Sequence, residues 1–153
     1  MPTIGARAVV AEIMSGVRVL LAEDGSSMGR QLRGLLGEWY EVIGLVQDGA
    51  SLLNAAQRML PDVVVTDIAM PQLDGLEAVR QLRARRPVLG VVFVTVHAEP
   101  EMVARAIALG PCSYVLKADA GDDLHQAVQA AVRGEAYLSH SLRPGLRSGQ
   151  QAQ

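Results

Sequence analysis

Asp67 is a lone carboxylate at the end of a short apolar run, and no side chain beside it in the sequence neutralises its charge. Residues 63–65 are all valine, which is typical of a strand buried on both faces. Pro71 and the pair Asp74-Gly75 indicate that the chain turns away soon afterwards. Asp67 is therefore predicted at the C-terminal tip of a strand, the edge at which open α/β sheets bind ligands.

Other acidic, hydroxyl and amine side chains also follow apolar runs. Glu23 and Asp24 follow the first predicted strand, Thr95 lies near the end of the fourth, and Lys117 follows the fifth. Three carboxylates that meet at one edge would repel one another unless a cation joins them. Their oxygens suit Mg²⁺, and Mn²⁺ would also fit. A lysine and a hydroxyl opposite the metal would complete a site for the oxygens of a phosphoryl group.

Strand-type and helical patterns alternate along the chain and must position these side chains. The strands are predicted over residues 17–22, 42–46, 63–66, 90–96 and 113–116. The helices are predicted over residues 28–39, 50–60, 74–86, 100–109 and 122–133. Asp74 and Glu77 form a capping-box pattern at the start of the third helix. Strict alternation predicts an α/β fold, a doubly wound parallel sheet of five strands with helices on both faces.

The composition is that of an ordinary soluble domain. A chain of 153 residues with a formal net charge of -2 can bury a core and gives no sign of direct nucleic-acid contact. The single Cys112 fits a reducing compartment, and no apolar run approaches the roughly 20 residues of a membrane span. We expect a cytoplasmic protein with no membrane contact. Residues 1–16 are interpreted as an N-terminal extension, 17–138 as the domain, and 139–153 as a tail or linker stub.

These motifs resemble the response-regulator receiver domain of two-component signalling. The similarity covers residues 17–138 and is carried by Glu23-Asp24, TDIAMPQLDG, Thr95, and Tyr114 with Lys117 in SYVLK. It implies a flavodoxin-like (βα)5 fold with strand order 2-1-3-4-5. Residues 131–142, AVRGEAYLSHSL, resemble the end of receivers that continue into a LuxR-type helix-turn-helix output domain. We assign no DNA binding to these residues.

The resemblance also implies a function. Asp67 would accept a phosphoryl group from a phosphohistidine of a sensor histidine kinase. Mg²⁺ would be held by Glu23, Asp24, Asp67 and the backbone carbonyl of Ala69. The domain would then be a signalling module and not an enzyme, although it would assist its own phosphorylation and dephosphorylation.

A switch follows from the same resemblance. Thr95 and Lys117 would bind the phosphoryl oxygens, and the movement of Thr95 would let Tyr114 turn inward and change a protein or dimer surface. A homodimer would fit receivers of this type. Ala69 and His97 each lie two residues past a site residue, and we hypothesise that they tune the lifetime of the aspartyl phosphate.

Two other classes of protein share some of these features. A phosphohydrolase of the haloacid-dehalogenase kind needs a second aspartate two residues after the first, and Ala69 stands there. A receiver-like interaction module that is never phosphorylated is the alternative, but it would be expected to lose an acid or the lysine, and none is lost. His125 and His140 show no spacing typical of metal ligands.

Overall fold

The computed structural model describes residues 16–143, so most of the predicted extension and tail lies outside the described residues. The described part contains six strands: β1 (Arg18–Ala22), β2 (Glu41–Val46), β3 (Val63–Thr66), β4 (Gly90–Thr95), β5 (Ser113–Leu116) and β6 (Tyr137–Leu138). It contains five α-helices: α1 (Ser26–Gly37), α2 (Gly49–Met59), α3 (Gly75–Arg85), α4 (Pro100–Ile107) and α5 (Ala120–Val132). Two short 3₁₀ turns cover Lys117–Asp119 and His140–Leu142.

The strands form one parallel sheet in the order β2-β1-β3-β4-β5-β6. The predicted flavodoxin-like order 2-1-3-4-5 is confirmed, and β6 extends it by one short edge strand. The sequence prediction of five strands missed β6 because two residues are too few to show a period. β6 is held by the Tyr137 N–H on the Cys112 carbonyl (3.2 Å) and the Ser139 N–H on the Tyr114 carbonyl (2.9 Å).

Both faces of the sheet are covered by helices. Val19 and Leu21 of β1 pack with α1 and α5, whereas Leu20 and Ala22 pack with α2, α3 and α4. The valines of β3 divide in the same way and are completely buried. This confirms that β3 is buried on both faces. No helix within residues 16–143 is long and apolar enough to cross a membrane.

The chain leaves β3 through a tight loop that returns to the sheet edge. The Asp67 N–H donates to the Ala22 carbonyl (3.0 Å), and the Gly75 N–H donates to the Ile68 carbonyl (2.7 Å). A Cβ on Gly75 would overlap the carbonyl oxygen of Asp67, so only glycine fits this close approach. The loop therefore holds Asp67 between the end of β3 and the start of α3.

The capping box predicted for α3 is half formed. The Asp74 carboxylate accepts the Glu77 N–H at 2.8 Å, as the pattern indicates. The Glu77 side chain, however, does not return to the cap but accepts hydrogen bonds from Arg80 and Gln81. An arginine one turn further along the helix offers Glu77 an opposite charge, which competes with the single cap N–H.

Candidate functional site

The carboxyl ends of β1, β3 and β5 bring four charged side chains to one edge of the sheet: Glu23, Asp24, Asp67 and Lys117. Lys117 Nζ lies 2.7 Å from Asp67 Oδ2 and 3.0 Å from Glu23 Oε1. The crossover topology places the tips of these strands on the same side, although the residues are far apart in the sequence. The predicted acid pair, aspartate and lysine therefore share one site.

Lys117 is a charged ammonium in this site. Burial lowers its pKa, but the hydrogen bonds to Asp67 and Glu23 outweigh burial and hold the pKa above its ordinary value. Asp67 Oδ1 accepts the N–H of Ile68 at 2.7 Å, so each carboxylate oxygen of Asp67 has a donor. A fixed carboxylate beside a lysine is an arrangement that can accept and neutralise an incoming anionic group.

Glu23 is 2% exposed, and burial raises the pKa of its carboxyl despite the Gly25 N–H on Oε2 at 2.9 Å. Its Oε1 atom is completely buried and faces the ammonium of Lys117 at 3.0 Å. The positive charge of Lys117 therefore opposes the effect of burial on the pKa of Glu23.

The acids fit a hard divalent cation. Glu23, Asp24 and Asp67 each offer a carboxylate oxygen, and these oxygens lie within 4.8 Å of one another. Oxygen ligands with one exposed member, Asp24, match Mg²⁺, which retains several waters. An open cleft of about 480 Å³ adjoins the acids, and Asp24, Ala69, Met70, His97 and Met102 are among the residues that line it. Ala69 and His97 thus share the cleft beside Asp67.

Thr95 and Tyr114 are completely buried behind this cleft. The Thr95 hydroxyl oxygen accepts the N–H of His97 at 3.2 Å, and the Tyr114 hydroxyl donates to the His97 carbonyl at 2.7 Å. Burial raises the pKa of Tyr114, which keeps the hydroxyl neutral and able to donate. In this structure Tyr114 is already turned inward, and both residues hold the backbone that follows β4.

Two histidines without a recognisable sequence spacing have specific partners. The His125 ring stacks on Trp39 with 4.0 Å between ring centroids, and its Nδ1 lies 2.7 Å from the Tyr40 hydroxyl. His140 lies between the carboxylates of Asp119 and Asp123. The spacing of four residues puts these two acids on one face of the chain at the start of α5, but no local pattern connects them with His140.

Comparison with known proteins supplies the family. Residues 19–129 match the response regulator receiver domain. Response regulator GacA of Pseudomonas aeruginosa is 31% identical over 128 residues, which are 82% of this chain and 60% of that protein. The transcriptional regulatory protein PdtaR of Mycobacterium tuberculosis is 33% identical over 116 residues, 75% of this chain and 56% of that protein. The chain thus spans less than two thirds of the length of these relatives.

A solved structure agrees with the fold. The isolated REC domain of RcsB from Salmonella enterica serovar Typhimurium, studied with the phosphomimetic BeF3⁻, superposes with a TM-score of 0.76 at 25% identity. The match covers 84% of this chain and 96% of that one. Since the family match alone extends over more than half of the chain, the protein belongs to the receiver domains of two-component response regulators.

Proposed function

We propose that Asp67 is the phosphoacceptor of this domain and takes its phosphoryl group from a phosphohistidine of a sensor histidine kinase. The observation that carries the proposal is the contact of 2.7 Å between Asp67 Oδ2 and Lys117 Nζ, with Glu23 beside both. Without Lys117, the carboxylate of Asp67 would repel the phosphoryl oxygens. Without Asp67, the site would have no nucleophile to accept the phosphoryl group. The family membership supports the same reaction.

In the proposed step a carboxylate oxygen of Asp67 forms a bond to phosphorus while the phosphorus–nitrogen bond of the donor breaks. The imidazole nitrogen of the kinase keeps the electron pair of that bond and takes a proton from solvent. The product is an acyl phosphate on Asp67. Lys117 binds a phosphoryl oxygen and neutralises its charge, so that catalysis is positioning and electrostatic stabilisation.

Glu23, Asp24, Asp67 and the carbonyl of Ala69 would hold Mg²⁺, with Mn²⁺ as a substitute. The metal would supply charge neutralisation at the phosphoryl oxygens. Support for this ligand set comes from the three carboxylates, whose oxygens lie within 4.8 Å of one another. The domain would act in the cytoplasm as a signalling module that assists its own phosphorylation and dephosphorylation.

Two residues would form the switch. Thr95 would bind a phosphoryl oxygen, and Tyr114 would respond to the movement of Thr95. Both side chains bond to the backbone of His97, so a movement of Thr95 would reach the loop that leads into α4. The surface of α4 and β5 would then favour a protein partner or a homodimer. One relative is a transcriptional regulatory protein, so the proposed output is regulation of transcription.

Ala69 and His97 would tune the lifetime of the acyl phosphate, because both line the cleft beside Asp67. Ala69→Asn adds a side chain that can orient water, and His97→Ala removes one. The two variants should shift the half-life of the phosphorylated protein in opposite directions. An unchanged half-life in both variants would remove this role.

Intact-protein mass after incubation with acetyl phosphate and Mg²⁺ tests the main proposal. The wild type should gain one phosphate and Asp67→Asn none. Asp62→Asn is the matched control, since Asp62 stands at the opposite end of β3, and it should be phosphorylated like the wild type. Phosphate on Asp67→Asn would refute the assignment. No gain in the wild type would refute it as well and favour an interaction module that works without phosphorylation.

A further inference from the structure

The chain returns to the functional site after α5. Residues 137–143, here called the clasp segment, form β6 and the 3₁₀ turn His140–Leu142. Residue 139, at which the predicted tail starts, is completely buried in this segment. The segment packs against the turn Lys117–Asp119, whose first residue is the lysine that contacts Asp67.

Hydrogen bonds from the clasp segment fix the backbone on both sides of Lys117. Before the lysine, the N–H of Leu116 donates to Ser139 Oγ at 3.1 Å. After the lysine, the carboxylate of Asp119 accepts the hydroxyl of Ser141 at 2.8 Å and its N–H at 3.2 Å. The position of the Lys117 turn therefore depends on contacts that lie about 20 residues further along the chain.

His140 closes the clasp between two buried carboxylates. Its Nδ1 lies 2.7 Å from Asp123 Oδ2, and its Nε2 lies 3.4 Å from Asp119 Oδ1. Nδ1 is hydrogen-bonded to Asp123, and Nε2 lies at ion-pair distance from Asp119. A positive charge on the ring is therefore attracted by a carboxylate on each side. The geometry does not resemble a cation site, because the carboxylate oxygens already accept hydrogen bonds from Tyr137, His140 and Ser141.

The charges around His140 favour the protonated form. Three aspartates, Asp119, Asp122 and Asp123, act on the charge of His140, and the Tyr137 hydroxyl donates to the carboxylate of Asp123. The hydrogen bond to Asp123 is the largest cause that raises the pKa of His140 above its ordinary value, and the charges of the aspartates raise it further. The guanidinium of Arg143 lies over the Tyr137 ring, 5.0 Å from its centroid.

The two carboxylates stay ionised. Burial raises the pKa of Asp119, but hydrogen bonds from Ser139 and Ser141 outweigh burial and hold the pKa below its ordinary value. The pKa of Asp123 is lowered in the same way, by His140 and Tyr137 against burial. Negative charge is thus present on both sides of the imidazole over the range in which His140 titrates.

We propose that His140 and the clasp segment position Lys117 for phosphoryl transfer, and that protonation of His140 sets how firmly the clasp holds. The proposal rests on the proposed function only for its effect on Asp67. His140 is a positioning residue that acts through Asp119 and the Lys117 turn. A rise in pH removes the positive charge of His140, weakens its ion pair with Asp119 and loosens the turn.

The direction of the pH effect on the clasp follows from the linkage between protonation and stability. The pKa of His140 in the folded domain lies above that of an unfolded histidine, so its contribution is complete below the unfolded pKa and is lost as the pH rises through the folded pKa. Opening of the clasp releases His140 from both aspartates, so that it titrates like an unfolded histidine. The closed fraction relative to the open one therefore falls about tenfold for each unit by which the midpoint of His140 in the closed clasp exceeds that of an unfolded histidine.

The clasp can be tested without phosphorylation. NMR of the whole chain gives the titration midpoint of His140 and the hydrogen-exchange protection of the Leu116 amide, corrected for intrinsic exchange at each pH. The protection of the Leu116 amide should fall as His140 titrates, by about tenfold for each unit by which its midpoint exceeds that of an unfolded histidine. His140→Gln should abolish this step, and His125→Gln, on another face of α5, should retain it. A His140 midpoint at or below that of an unfolded histidine, or the same step in His140→Gln, would overturn the proposal.

The effect on the site is read from the rate of phosphorylation by acetyl phosphate. The ratio of the rate in His140→Gln to the wild-type rate should rise toward one as the pH passes through the His140 midpoint. His140→Lys, which keeps a positive charge, should restore the rate on the alkaline side. A constant ratio across that range would refute the link to Lys117. If the wild type takes no phosphate, the proposed function fails, while the Leu116 exchange still decides the clasp.

Discussion

Replacing Lys117 by methionine should destabilise the domain, because two buried carboxylates would then face each other without a cation. At separations of 2.7 Å and 3.0 Å, each ion pair has a gross attraction of about 6 kcal/mol at an effective dielectric constant of about 20. Burial of the ammonium, which is 15% exposed, offsets several kcal/mol of this attraction. Loss of one partner of a buried pair costs roughly 3–5 kcal/mol, and we expect a decrease in that range.

The loss of stability in Lys117→Met should depend on pH. Burial already raises the pKa of Glu23, and removal of Lys117 should raise it further. A carboxyl whose folded pKa exceeds its unfolded pKa destabilises the fold above the folded pKa, and the penalty disappears as the pH falls to the unfolded value. The deficit of Lys117→Met should therefore be full near neutral pH and shrink in mild acid.

Urea unfolding of Lys117→Met and the wild type, with and without Mg²⁺, measures the deficit. Mg²⁺ should recover part of the lost stability, since a ligand that binds the folded state stabilises it. Lys117→Arg, which keeps the charge, is the control and should lose less. Equal free energies of unfolding for Lys117→Met and the wild type at every pH would contradict the ion-pair reasoning.

Two further substitutions probe the supports of the site. Gly75→Ala brings a Cβ onto the Asp67 carbonyl, so it should cost about 1–3 kcal/mol in urea unfolding and slow phosphorylation, and unchanged values would contradict the close approach. Tyr114→Phe removes the donor to the His97 carbonyl and should cost about 1 kcal/mol, while phosphorylation by acetyl phosphate continues; loss of phosphorylation would show that the hydroxyl acts on the reaction itself.

The sheet could be predicted from the sequence where a strand is contiguous and apolar. The three valines of β3 indicate burial on both faces, and the structure confirms it. β6 could not be predicted, because its two residues pair with β5 only after α5 has brought them to the sheet edge. The strand order came from the family resemblance, since alternation alone does not distinguish one order from another.

The candidate site was predictable because the C-terminal ends of parallel strands all lie at the same edge of the sheet. Asp67 and Lys117 could be placed there from the ends of their own strands. The contact of His140 with Asp123 was not predictable, because it joins residues 17 positions apart through the path of the clasp segment. The bond from Glu77 to Arg80 replaced the expected return to the α3 cap because side-chain partners compete within one turn.

Location of the modified residue tests the central claim most directly. After reaction with acetyl phosphate and Mg²⁺, borohydride reduces an acyl phosphate on aspartate to homoserine, which peptide mass mapping locates in the chain. The proposed function predicts homoserine at Asp67 and at no other position. Homoserine at Asp24 or Asp62, or a phosphate found on a histidine or serine, would contradict it.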